Sequence, residues 1–330
     1  MTACRKPAGV VRFVKTAFFA LLFFAAPPWP ELPAIGAVSD YQPVFKAFYD
    51  ESRTLRVAIR SFRRGGEDFF LVLDPYRFSL TETASATVLS SPATGDAPLW
   101  GTPFYGALQR LTSPPYHLQN DGLRHSEHPV PGYFLTADLC PAKKPLDRRF
   151  VEAMGTLPQK SPIPVALMVS GLWIQRHESD LAWLREKESS GMLSITWVNH
   201  SFTHAFDPSA PLERNFLLTP KTDFLHEVLA LERLLIEQGI APSPFFRFPG
   251  LVSSRRLVEE LRNLSLIPIG SDAWLAKGET AKPGSVVLVH GNGNEPEGIR
   301  LLLSLWEGQR EAFARGQTTL LPLREAFFPR

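Results

Sequence analysis

The stretch Leu193-Ser194-Ile195-Thr196-Trp197-Val198-Asn199-His200-Ser201-Phe202-Thr203-His204 decides how the chain is read. A β-branched, apolar run ends there in two imidazoles four residues apart. If the helix following that strand begins at its end, the two rings share one face and can hold a single divalent cation. Strand ends followed by loops form the functional rim of parallel α/β folds, so the position adds weight that spacing alone lacks. Two partly exposed histidines on a helix start are the plainer alternative.

Outward from this stretch, the chain after Gly132 alternates strands and helices. Strands are expected at Tyr133–Asp138, Pro164–Ser170, Leu193–His200, Phe245–Phe248, Leu266–Ser271, Ser285–His290 and Thr318–Leu321. Phe224, Leu225, Val228, Leu231 and Leu235 form an apolar helical stripe that Gly239 stops. Further helices are expected at Leu146–Met154, Asp180–Glu188, Arg255–Leu264 and Ile299–Ala314. The fold class is therefore α/β, an irregular (β/α) barrel of about seven strands rather than a full eightfold one. Upstream, Val57–Phe62 and Phe69–Leu73 flank Arg63-Arg64-Gly65-Gly66-Glu67-Asp68 and suit a β-hairpin. Residues 91–131, rich in Pro, Ser and Gly, read as a long connection.

The first residues combine Arg5, Lys6, Arg12 and Lys15, the apolar stretch Ala17–Ala26, and a Pro-rich segment ending in small residues. That order describes a secretory signal, and the apolar stretch is short for a bilayer span. Three segments follow: residues 1–37 as signal peptide or N-terminal anchor, 38–131 as a small β-rich extension with its Pro-rich connection, and 132–330 as the barrel. An exported, periplasmic or extracellular protein is expected. Without residues 1–37 the formal charge changes from +2 to −1, which gives no general reason to bind nucleic acid or an anionic membrane. Membrane association is expected only if the N-terminal segment is retained. Of the two cysteines Cys4 leaves with the signal, so Cys140 has no intrachain partner. With 44% hydrophobic residues the rest can bury a sizeable core, and 30 prolines predict many rigid connections.

Polar residues fall at the ends of five expected strands: Asp138, His200 with His204, Arg247, Asp272 with Trp274, and His290. Each has a structural alternative: Asp138 as a helix cap, Arg247 as a surface ion-pair partner, Trp274 as core, His290 as a turn residue. If the strands are parallel, all converge on one rim, and the joint placement favours a site.

The order Leu135-Thr136-Ala137-Asp138-Leu139-Cys140-Pro141, Asn199-His200-Ser201-Phe202-Thr203-His204, Arg247-Phe248-Pro249-Gly250, Ser271-Asp272-Ala273-Trp274, Val287-Leu288-Val289-His290 resembles the five motifs of the NodB-homology polysaccharide deacetylases, carbohydrate esterase family 4. The second and fifth motifs match well and the third over Arg247 and Pro249; the first and fourth are degenerate. The resemblance implies a NodB-like barrel and a metal-dependent hydrolase that removes N-acetyl groups from an amino-sugar polysaccharide or oligosaccharide. It implies His200 and His204 as ligands of a divalent metal, usually zinc. It implies Asp138 as catalytic base, Arg247 as the residue that orients it, and His290 as general acid. Leu288, with Trp274 and Asp272, falls to substrate binding. The expected partner is an acetylated amino-sugar polymer.

One departure matters: Leu139 stands where the family places its third metal ligand. Asp138 could turn to the metal, Cys140 could supply a thiolate, or substrate and water could fill the gap. Cys140 is expected to be a buried apolar residue. A non-catalytic carbohydrate-binding protein, or an amide hydrolase acting on a lipid-linked sugar or a non-sugar amide, are the competing functions. Gly291-Asn292-Gly293-Asn294 reads as a tight turn that could offer backbone N–H groups to substrate. His125 and His128 read as solvated loop histidines.

Overall fold

A computed structural model describes residues 36–89 and 99–328. The expected signal, apart from its last two residues, lies outside them. Among the described residues no helix is long and apolar enough to cross a membrane.

The N-terminal part is an antiparallel sheet of β1 (Val38–Tyr49), β2 (Leu55–Arg64), β3 (Glu67–Asp74) and β4 (Ser79–Ala84), paired in sequence order. Gly65 and Gly66 alone connect β2 to β3, with φ of 60° and 86°. Two positive φ angles make the turn whose twist suits a two-residue hairpin, so the strands run further toward the turn than the apolar residues mark. Helices α1 (Ser85–Leu89) and α2 (Pro103–Leu111) follow.

The rest alternates as expected: β5 (Phe134–Leu139), α3 (Arg149–Met154), β6 (Ile163–Val169), α4 (Gly171–Arg176), α5 (Glu178–Ser189), β7 (Leu193–Asn199), α6 (Phe224–Glu237), β8 (Phe245–Phe246), α7 (Arg255–Asn263), β9 (Ile267–Pro268), β10 (Ala273–Trp274), β11 (Val286–His290), α8 (Pro296–Gly308) and α9 (Arg310–Ala314). Seven parallel strands form one sheet in the order β10-β11-β5-β6-β7-β8-β9. The architecture is the α/β one expected, an irregular barrel preceded by a β-rich extension.

Two expectations need correction. Thr318–Leu321 is not a strand, because β11 and β6 occupy both edges of β5 and this segment reaches only Tyr133, ahead of that strand. The seventh strand is β10. The expected helix Ile299–Ala314 begins earlier, at Pro296, and breaks at Gln309 into α8 and α9.

Alternation along the parallel strands separates two cores. Leu135, Ala137 and Leu139 of β5, with Val165, Leu167 and Val169 of β6, pack against the helices. Phe134, Ala166, Met168, Val198, Phe245, Ile267 and Val286 face the other way and join Val57, Ile59, Leu71, Leu73 and Phe104 of the N-terminal part. The extension thus fills the inner face of the curled sheet. A buried ion pair fastens the two: Arg60 Nε and a second guanidinium nitrogen meet Glu232 of α6 at 2.7 and 2.9 Å, and Tyr41 donates its hydroxyl to the same carboxylate at 2.9 Å.

The Pro-rich connection is structural as well. β9 and β10 do not pair, and there Leu123 bridges Ile269, just past β9, while His125 bridges Ser285, just ahead of β11. Leu123 N–H donates to Pro268 C=O at 3.0 Å, Gly270 N–H to Leu123 C=O at 2.8 Å, and Ser126 N–H to Gly284 C=O at 2.7 Å. Gly122 is required there: its φ is 103°, and a Cβ would lie 2.2 Å from the Pro268 carbonyl oxygen. His125 belongs to this seam: its side chain is 41% exposed, as expected of a solvated residue, but its Nδ1 lies 2.8 Å from Asp272 Oδ2.

Replacing Arg60 by Met should cost about 3–5 kcal/mol in urea unfolding, because Glu232 would be left buried without its cation. The Arg60→Met, Glu232→Leu double variant should recover a large part of that loss. Equal losses in the single and double variants would contradict this role.

Candidate active site

The inward phase of the strands ends in polar groups. Phe134, Thr136 and Asp138 share one face of β5, and Val286, Leu288 and His290 share one face of β11. His290 pairs in register with Asp138. His200 follows β7 directly and Arg247 follows β8, so four of the expected residues meet at the carboxyl ends of β11, β5, β7 and β8.

Arg247 ties them together. Its fully buried guanidinium donates to Asp138 Oδ1 at 2.7 Å, Thr136 Oγ1 at 2.8 Å, Gly270 C=O at 2.8 Å and Ile269 C=O at 3.3 Å. Its own backbone carbonyl accepts His200 Nδ1–H at 2.8 Å. That bond sets the tautomer and leaves the His200 Nε2 lone pair facing the site. Asp138 Oδ2 lies 3.7 Å from that nitrogen. Burial alone would raise the Asp138 pKa, but Arg247, His200 and His290 outweigh it and hold the carboxyl below its ordinary value.

The two histidines do not sit on a helix. Ser201 and His204 have φ of 64° and 47°, and α6 begins only at Phe224. Side-chain acceptors replace the helical ladder: Asn199 Oδ1 takes Ser201 N–H at 3.0 Å, Ser201 Oγ takes His204 N–H at 3.1 Å, and Glu227 takes Thr203 N–H at 2.8 Å. The loop packs Phe202 on Gly171 so closely that a Cβ there would lie 2.2 Å from the ring. The imidazoles still meet edge to face, with ring centroids 4.7 Å apart.

Cys140 is buried as expected, but its side chain is not apolar filling. Its Sγ lies 3.6 Å from His200 Nε2. Cys140, His200 and His204 offer ligand atoms that all lie within 4.8 Å of one another, the one such trio among the described residues. His204 Nε2 is buried with no hydrogen-bond partner. A buried imidazole nitrogen left without a partner beside a thiol and a second imidazole fits a divalent cation, so His200, His204 and their surroundings suit the metal that the motifs imply. Burial would raise the Cys140 pKa, but the facing His204, then His200 and His290, pull it well below the usual thiol value. Burial would lower His204, and Cys140 raises it.

His290 Nδ1 lies 2.7 Å from Glu295 Oε2, which also accepts Trp274 Nε1–H at 2.9 Å. Burial would lower the His290 pKa, yet Cys140 and Glu295 raise it well above the ordinary histidine value. Glu295 had no signal in the sequence beyond being an acid in a turn. The turn itself acts through a side chain: Asn292, fully buried, donates to Cys140 C=O at 2.8 Å and accepts Asn294 N–H at 3.1 Å.

These groups open on a cavity of about 710 Å³. Its wall includes Cys140, His204, His290, Trp274 and Glu295, with Phe206 and Phe216 on one flank and Arg176 on another. Asp138, His200 and Arg247 lie behind this wall. Leu288 is buried on the inner face of β11, one inward position below His290, and is not part of the wall. Asp272 faces the His125 seam and a separate surface pocket with Arg124 and Lys282, away from the other residues.

Asn292→Ala should lower stability by about 1–3 kcal/mol in thermal unfolding, since Cys140 C=O and the turn would lose a buried partner. A change under about 0.5 kcal/mol would contradict the anchoring role.

No family model matches the sequence. Among solved structures the chain is similar to a family 4 carbohydrate esterase from Bacillus anthracis, at 16% identity over 68% of this chain and 92% of the other, with a TM-score of 0.45. It is similar to PdaA of Bacillus subtilis, also a family 4 carbohydrate esterase, at 16% identity over 72% and 91%, with a TM-score of 0.44. BA3943, a family 4 pseudoenzyme from Bacillus anthracis, is similar at 12% identity over 56% and 64%, with a TM-score of 0.38.

Proposed function

We propose that the chain is an exported, metal-dependent hydrolase that removes N-acetyl groups from an amino-sugar polysaccharide or oligosaccharide. One observation carries this reading: two imidazoles and a thiol line one cavity, and directly behind them a third imidazole lies 3.7 Å from a carboxylate held by a buried guanidinium.

Each residue then has a task that its surroundings suit. His200 and His204 hold the cation, which when bound supplies Lewis acidity toward the acyl oxygen and acidifies water. Asp138, kept ionised by Arg247, accepts the proton of the attacking water. His290, with Nδ1 beside Glu295, keeps Nε2 for the departing nitrogen and donates a proton to it. The water oxygen bonds to the acyl carbon as the carbon–nitrogen bond breaks. Acetate and a free amino sugar result. Phe206, 60% exposed on the cavity wall and backed by the buried Phe216, supplies an aromatic face for a sugar ring, with Trp274 on the same wall. Export rests on the basic and apolar N-terminal residues, and N-terminal sequencing of the mature protein decides whether they are cleaved.

The test is acetate release from acetylated amino-sugar oligomers. His290→Ala should lower kcat by about 10²–10⁴ with little change in KM, as expected for a lost general acid. His200→Ala and chelation should each abolish release, and zinc should restore it only after chelation. Glycan binding without turnover in the metal-loaded protein would favour a non-catalytic carbohydrate binder, and undiminished activity of His200→Ala would refute the metal role.

A further inference from the structure

We infer that Cys140 is the third metal ligand, so that the cation is held by one thiolate sulfur and two imidazole nitrogens. This rests on the metal-binding reading of the site and adds the donor that the first motif lacks.

The three candidate donors near the histidines are in different situations. Leu139 packs with Phe150 and Val169 among the outer helices and offers no donor. Asp138 is engaged by Arg247 at 2.7 Å and falls outside the trio of mutually close ligand atoms. Cys140 falls inside it. Along β5 Asp138 faces in and Leu139 faces out, and Cys140, the first residue past the strand, has its thiol beside the histidines. Pro141 restricts the Cys140 backbone to extended conformations, and Asn292 pins the Cys140 carbonyl at 2.8 Å, so the thiol is held in place.

The spacing is that of a coordination edge. Bonds of about 2.3 Å to sulfur and about 2.1 Å to nitrogen, meeting at a tetrahedral angle, put the two donors about 3.6 Å apart. Cys140 Sγ and His200 Nε2 are 3.6 Å apart. His204 offers a ligand atom within 4.8 Å of both, and its buried Nε2 has no hydrogen-bond partner among the described residues. Three protein ligands leave a fourth position, and Cys140 and His204 both line the cavity into which it would open.

A sulfur donor selects the metal class. Thiolate with imidazole suits zinc, and disfavours the hard cations magnesium, calcium and manganese that carboxylate and carbonyl sets hold. Binding proceeds without change of oxidation state: the S–H bond breaks, the proton goes to solvent, and the sulfur lone pair forms the bond to the metal.

Cobalt(II) titration of the chelated, full-length protein tests this without any substrate. One equivalent should produce a near-ultraviolet sulfur-to-cobalt charge-transfer band and the strong visible bands of a four-coordinate ion. Cys140→Ser should lose the near-ultraviolet band and bind zinc more than about 100-fold more weakly, since even partners outside a coordination shell are worth 10–100-fold. Cys4→Ser should leave the band unchanged. In the wild-type protein one equivalent of zinc should protect Cys140 from alkylation, read by peptide mass spectrometry, a result that depends on no variant folding. Cobalt bound at one equivalent with no charge-transfer band, or alkylation of Cys140 unaffected by zinc, would overturn the inference while leaving metal-dependent hydrolysis standing. Failure to bind either metal would overturn both.

Discussion

Arg247 is the constraint on which the site depends. A guanidinium with no access to water must satisfy its N–H groups within the protein, and four of its five are satisfied here by Thr136, Asp138, Ile269 and Gly270. Those partners come from β5 and from the segment leaving β9, while the Arg247 carbonyl orients His200 at the end of β7. One residue therefore fixes the Asp138 carboxylate, the tautomer of His200 and the closing segment of the barrel. Loss of either charge in the Asp138–Arg247 pair would strand the other in a dry interior.

The N-terminal extension makes that arrangement possible. A curled parallel sheet with apolar residues on both faces needs a filling for its inner side, and β2, β3 and α2 supply it through Val57, Ile59, Leu71, Leu73 and Phe104. The Pro-rich connection then closes the gap that β9 and β10 leave open. With the lower part of the barrel filled by side chains, polar residues are left to collect at the upper rim, where the cavity opens.

Much of this was legible in the sequence, for a physical reason. Asp138, His200, Arg247 and His290 each end an apolar run, and runs that end together in a parallel sheet place their last residues on one rim. The long, periodic helices α6 and α7 and the strands β5, β6, β7 and β11 were visible in the same way. The two-residue strands β8, β9 and β10 were overextended or missed, because so short a pairing leaves no period to read. The histidine loop was misread as a helix start, since its turns are built by Asn199, Ser201 and by Glu227 from a distant helix. Glu295, Asn292 and the direction of Cys140 were also out of reach. Beyond a strand end, where a side chain points is set by contacts between loops far apart in sequence, such as Asn292 to Cys140.

The central claim is that these segments assemble a cation site next to an independently held carboxylate. Diffraction from crystals grown with zinc, measured on both sides of the zinc absorption edge, tests it most directly. The account predicts one anomalous peak among Cys140 Sγ, His200 Nε2 and His204 Nε2, with Asp138 still on Arg247. A peak on Asp138 with the Cys140 sulfur turned away, or zinc found only at surface residues, would contradict it.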